Sequence, residues 1–97
     1  MSPTILLQMN DMIFTQKRQF ITDTIDLLID KVKDDEYIVD KLIKSKDSLW
    51  HLTPEVVSNG WKNLNKVCAI YLPYSDKLPE CNTIFLNRYN TYKNTFT

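Results

Sequence analysis

A chain of 97 residues holds one domain at most, near the size at which a single core gives only marginal stability, and this excludes a multidomain enzyme. With 43% hydrophobic and 25% charged residues the composition matches an ordinary folded protein, neither disordered nor membrane-embedded. Twelve basic residues balance twelve acidic ones, so the attraction for nucleic acid or anionic lipid that a strongly basic protein enjoys is missing, and any DNA contact has to come from a local patch.

In chain order, residues 3–9 form a short apolar run behind Pro3, too short for its periodicity to separate strand from helix. Asn10 and Asp11 then supply helix-capping chemistry. From Met12 to Lys33 the residues Ile21, Ile25, Leu28 and Val32 recur at helical spacing with Asp23, Asp26 and Asp30 on the other side, which predicts an amphipathic helix. Asp34 and Asp35 carry negative charge into the end of that helix, where the dipole disfavours it, so a break is expected there. A second helix is expected over 36–48, with Tyr37, Ile38, Val39, Leu42 and Ile43 as its apolar side.

Trp50 and Trp61 frame the segment WHLTPEVVSNGW, which spells out a helix start. Thr53 can accept a hydrogen bond from a first-turn N–H, Pro54 suits the first helical position, and Glu55 sits at the positive end of the dipole. The predicted third helix runs from Pro54 to Tyr71 with Val57, Trp61, Leu64 and Cys68 on one side, and Pro73 ends it. Gly60, the only glycine, costs such a helix about 1 kcal/mol relative to alanine, and close approach of another helix would explain it. Residues 74–97 carry Pro79, clustered Asn and Thr, and aromatics without a clean period; they read as an irregular tail, with at most a short element around 84–89.

Signatures of chemistry are few. His51 is the only histidine, a single glycine precludes a Gly-rich phosphate loop, and Cys68 and Cys81 lack zinc spacing, so they read as free thiols, with a single disulfide between them as the alternative. Asp34, Asp35 and Glu36 are a carboxylate run of the kind that usually caps and solvates a helix end, and no metal site is expected. Lys17 and Arg18, between Gln16 and Gln19, form a small basic collar suited to phosphate contact. No stretch approaches the ~20 apolar residues of a membrane span, and the N-terminal segment carries no basic leader, so an intracellular protein without membrane contact is expected.

Two segments together resemble the C-terminal portion of the DDE-type endonuclease domain of pogo and Tigger transposases and their domesticated relatives, Jerky and centromere protein B. The first is LLQMND, Leu6 to Asp11, followed by MIFTQKRQF; that family has a Leu-Leu-Gln-Pro-Met/Leu-Asp motif ahead of a long helix. Leu6, Leu7 and Gln8 match, Met9 stands for the proline, Asn10 for the apolar residue, and Asp11 falls on the third carboxylate of the family's catalytic triad. The second is LW, TPEVV and NGW, which resemble the family's C-terminal helical pair. The resemblance covers residues 4–66. It implies an RNase H-like origin, in which three carboxylates hold two metal ions for phosphodiester cleavage. Only the third carboxylate has a counterpart here, so Asp11 is expected to be a residual position without activity of its own, and Mg2+ enters only if other carboxylates complete the site.

The expectation is therefore a mainly α protein: a small three-helix bundle over 1–73 with an irregular tail over 74–97, resembling the C-terminal portion of an RNase H-like DDE domain. Its expected function is that of a truncated, catalytically inactive, transposase-derived nuclear protein that contacts DNA through Lys17, Arg18, Lys62 and Lys66, without a cofactor. The alternative is a stand-alone helical module that binds protein partners, with Trp50 and Trp61 as interface anchors.

Overall fold

The computed structural model describes the backbone of residues 3–49 and 54–96, and the side chains of residues 12–49 and 57–96. Four α-helices and one short 3-10 turn make up this part: α1 (Pro3–Lys31), α2 (Glu36–Asp47), α3 (Pro54–Ile70), the turn Leu72–Tyr74, and α4 (Leu78–Phe96). The architecture is a small mainly α bundle, with no strand among the described residues. α1 packs against each of the other three helices, and α2 also packs against α3.

α1 begins earlier than expected. Pro3 is its first residue, where a missing N–H costs nothing, and Leu, Gln and Met over the next two turns are good helix formers, so the apolar run is helical. Asn10 and Asp11 consequently lie inside the helix and not at its cap. Ile21, Ile25 and Leu28 are fully buried and Val32 nearly so, while Asp23, Asp26 and Asp30 face solvent. Asp26 pairs with Lys46 of α2 at 2.8 Å, across the rim of the core.

The break falls at the paired aspartates for a local reason. The Asp35 side chain accepts a hydrogen bond from the backbone N–H of Ile38 at 3.1 Å and caps α2, satisfying a donor that the helix cannot. α2 buries a narrower stripe than its composition suggests: Ile38, Leu42 and Ser45 are inside, whereas Tyr37 and Ile43 are 62% and 43% exposed. Lys41 lies 5.0 Å from the ring centre of Tyr37 and 5.3 Å from that of Tyr71, a cation held between two aromatics that fastens α2 to the end of α3.

α3 starts at Pro54 as expected and buries Val57, Trp61, Leu64 and Cys68. The cap expected from Thr53, like Trp50 and His51, lies outside the described residues. Gly60 has ordinary helical geometry, and its role is spatial: a Cβ there would run into the Leu49 side chain and lie 3.3 Å from Ile21 Cδ1. The expected close approach is thus made by α1 and by Leu49, two residues past the end of α2.

The largest departure is at the C-terminus. The tail expected to be irregular is a 19-residue helix, α4, lying antiparallel to α1, with Phe20 meeting Tyr92 and Phe96. Pro79 does not prevent this because it is in the first turn, where its N–H is not needed. The threonines satisfy their hydroxyls within the helix, Thr83, Thr91 and Thr95 donating to the carbonyls of Pro79, Asn87 and Thr91 at 2.7–3.0 Å. Leu78, Cys81, Phe85, Tyr89, Tyr92 and Phe96 follow one another at three- and four-residue steps and form the face turned to the core.

Candidate ligand groove

Arg88 fixes α4 on α1 and thereby sets the geometry of the groove beside them. Its guanidinium lies 3.7 Å from the ring centre of Phe20, Nη2 donates to the Phe20 carbonyl at 3.1 Å, and Nε donates to Thr24 Oγ1 at 3.0 Å. Thr24 Oγ1 in turn donates to the same Phe20 carbonyl at 2.8 Å, so the buried hydroxyl is used in both directions. Stacking and a forked hydrogen-bond pattern at one point require arginine; a lysine could not make both.

Trp61 occupies the centre of the aromatic half of the core and is only 7% exposed. Its ring meets Tyr92, Tyr89 and Phe85 edge-on at 5.1, 5.2 and 5.9 Å and Phe20 at 6.5 Å. Such tilted arrangements suit the ring quadrupoles. Trp61 Nε1 has no partner in hydrogen-bond geometry. It is still near enough to Tyr92 to oppose slightly the burial that pushes that phenol above its ordinary pKa, an effect to which Tyr89 also adds. Phe85 and Tyr89, one turn apart on α4, lie nearly parallel at 10° with ring centres 6.1 Å apart.

Bulky rings that meet edge-on do not close the surface above them. A groove of about 630 Å³ remains between α1, α3 and α4, with Trp61, Phe85, Tyr89 and Tyr92 in its wall and Leu86, 56% exposed, beside them. Its cations come from three helices: Lys17 from α1, Lys62 from α3 and Lys93 from α4. Among the described residues that line it there is no carboxylate. Lys17 Nζ lies 5.9 Å from the ring centres of both Phe14 and Phe96, and Lys93 Nζ lies 4.9 Å from that of Tyr89.

The structure therefore brings together two of the four cations expected to contact phosphate. Lys17 and Lys62 share the groove, Arg18 lines a separate small cleft with Lys46 and Asp47, and Lys66 lines a third between α2 and α3. Asp11 is carried on the backbone of α1, but its side chain lies outside the described residues. Among the described residues no three His, Cys, Asp or Glu side chains are grouped to hold a metal ion, and no described helix is long and apolar enough to cross a membrane. Sequence reasoning did not identify Lys93, Phe85, Tyr89 or Arg88; the three- and four-residue spacing of aromatics from Cys81 to Phe96 was the available signal.

Cys68 and Cys81 are free and buried. Burial, reinforced by the neighbouring Cys81, pushes the Cys68 thiol from 9.0 up to about 12. Cys81 is likewise raised, by burial and then by Glu80, with Lys31 opposing. Neither has the depressed pKa of a nucleophilic cysteine. No protein family, curated protein or solved structure matches the chain.

Proposed function

We propose that this chain is a nucleic-acid-binding helical module, transposase-derived and without catalytic activity of its own, and that the groove between α1, α3 and α4 is its contact surface. The observation that carries the binding role is the convergence of Lys17, Lys62 and Lys93 from three helices on an aromatic wall, with no carboxylate among the described lining residues. In a protein of zero formal net charge, a local cationic site of this kind is what binding of a polyanion requires. The lineage is supported by the resemblance of LLQMND and TPEVVSNGW to the pogo and Tigger family, and a nuclear location goes with it. The absence of catalysis follows from that same reading, which assigns one carboxylate of three, Asp11, to this chain.

Electrophoretic mobility of labelled DNA at low salt tests the binding role. The wild-type chain is expected to retard the probe, and a variant carrying Lys17→Ala, Lys62→Ala and Lys93→Ala to lose at least tenfold in affinity while keeping its helical circular dichroism. Absence of retardation, or retardation unchanged in that variant, contradicts the proposal. With Mg2+ present the probe should stay intact; cleavage lost on Asp11→Asn would overturn the non-catalytic reading.

A second reading, a module for protein partners, draws on a different surface. Tyr37 and Tyr74 are 62% and 87% exposed, and Ile70 is 45% exposed, at the junction of α2, α3 and the 3-10 turn. Exposed aromatics beside an aliphatic residue are the usual anchors of a protein interface.

A further inference from the structure

We infer that the occupant of the groove is a single strand of nucleic acid, its bases against the Phe85–Tyr89 pair and its backbone on Lys17, Lys62 and Lys93. This rests on the nucleic-acid reading above and specifies the form of the ligand.

Shape is the first reason. Proteins that read duplex DNA insert a convex helix or ribbon into a groove about 12 Å wide. Here the three ammonium groups belong to a hollow of about 630 Å³, within the size range that encloses a small organic body and far too small to receive a duplex. A duplex would reach the lysines at the rim and leave the aromatic wall unused.

The second reason is the wall itself. Phe85 and Tyr89 are half-buried, nearly parallel at 10°, and supplied by successive turns of one helix, so they line the groove as two similarly oriented rings. Base stacking on such rings tolerates any sequence because every base has a π-face, whereas bases in a duplex have theirs already covered. Lys93 Nζ lies over the Tyr89 ring, 4.9 Å from its centre, so a phosphate drawn to this ammonium brings its base to the aromatic wall, and a base that stacks on Tyr89 takes the place of the lysine there. Charge complementarity completes the match: three lysines face a polyanion, and no carboxylate among the described lining residues repels it. An acidic peptide would satisfy the lysines but has no flat bodies for the rings.

Fluorescence anisotropy of three labelled probes at 50 mM salt tests this: a twelve-nucleotide oligothymidylate, a blunt twelve-base-pair duplex, and an oligoglutamate peptide of similar charge. The single strand is expected to bind at least tenfold more tightly than either other probe. Three neutralised phosphates should give it a log–log salt slope of about −2. Tyr89→Ser should weaken it about tenfold and Tyr89→Phe should leave it near wild type, since the stacking ring is kept. Equal or tighter binding of the duplex overturns the single-strand inference and leaves the nucleic-acid reading standing. Binding of neither nucleic acid removes both, and oligoglutamate bound as tightly as oligothymidylate reduces the groove to a site for anions of any kind. Should Tyr89→Ser fail to fold, the comparison of the three probes on the wild-type chain still decides.

Discussion

The aliphatic and aromatic halves of this core solve the same packing problem with different results. Ile25, Leu28, Leu42, Leu64 and Leu72 are each 0% exposed, and their flexible branched shapes pack together from α1, α2, α3 and the 3-10 turn. Around Trp61 the rings of Phe85, Tyr89 and Tyr92 meet it edge-on and stay only half-buried along the groove, while Phe20 is tilted against it beneath Arg88. Tight packing and the proposed binding surface thus lie in separate halves of one small bundle. Damage to the first half should unfold the chain, and changes at the lip of the second should alter binding alone.

The sharpest way to break that comparison is to truncate a residue in each half. Leu28→Ala removes a fully buried side chain and leaves a cavity, so chemical denaturation should show a loss of about 3 kcal/mol. Leu86→Ser, at a position 56% exposed beside the groove, should stay within about 0.5 kcal/mol of wild type by the same measurement. Similar losses at the two sites would mean that the groove is closed in solution.

Arg88 joins the halves, and its removal should rank next. Arg88→Ala strips the Phe20 ring of its cation and takes a donor from Thr24 and from a mid-helix carbonyl, with an expected cost of about 2 kcal/mol. Arg88→Lys should recover little of it, because lysine lacks the planar fork. Full recovery by lysine would show that charge alone holds α4 in place.

Much of the aliphatic half was legible in the sequence. Ile21, Ile25 and Leu28 on α1, Val32 just past its end, and Val57, Leu64 and Cys68 on α3 stand at helical spacing and are buried as that spacing predicts, and the same spacing placed Trp61 of the aromatic half. Asp35 and Pro54 marked real helix starts. The aromatic half was hidden because Pro79 and the asparagines and threonines of α4 have the composition of a loop. Composition misleads there: a proline in the first turn is harmless, and hydroxyls bonded to carbonyls four residues back leave no backbone group competing with the helix. The groove itself could not be read from local sequence, since Lys17, Lys62 and Lys93 converge only when three helices are packed.

Smaller effects refine the picture of the closed half. Ser45 is 5% exposed in α2 and its Oγ has no hydrogen-bond partner, so Ser45→Ala should remove an unsatisfied group, favour the helix and raise stability by about 1 kcal/mol in the same denaturation assay. The thiols report on access. At pH 8 a disulfide reagent should modify Cys68 and Cys81 slowly in the native chain and at once in denaturant. Because the folded Cys68 thiol holds its proton more tightly than an unfolded one, the stability it contributes is intact below pH 9 and declines as pH rises toward about 12. That decline cannot exceed about 1.4 kcal/mol per pH unit, and Cys68→Ala should flatten it.

The central claim is that the open aromatic half, and no other surface, receives the nucleic acid. Two-dimensional amide NMR of the labelled chain titrated with oligothymidylate tests it most directly. Saturable shifts should cluster on Lys17, Lys62, Phe85, Tyr89, Lys93 and the Trp61 indole N–H, with Leu28, Leu42 and Lys66 unmoved. Shifts centred on Arg18 or Lys66, or none beyond those produced by sodium chloride at equal ionic strength, would contradict it.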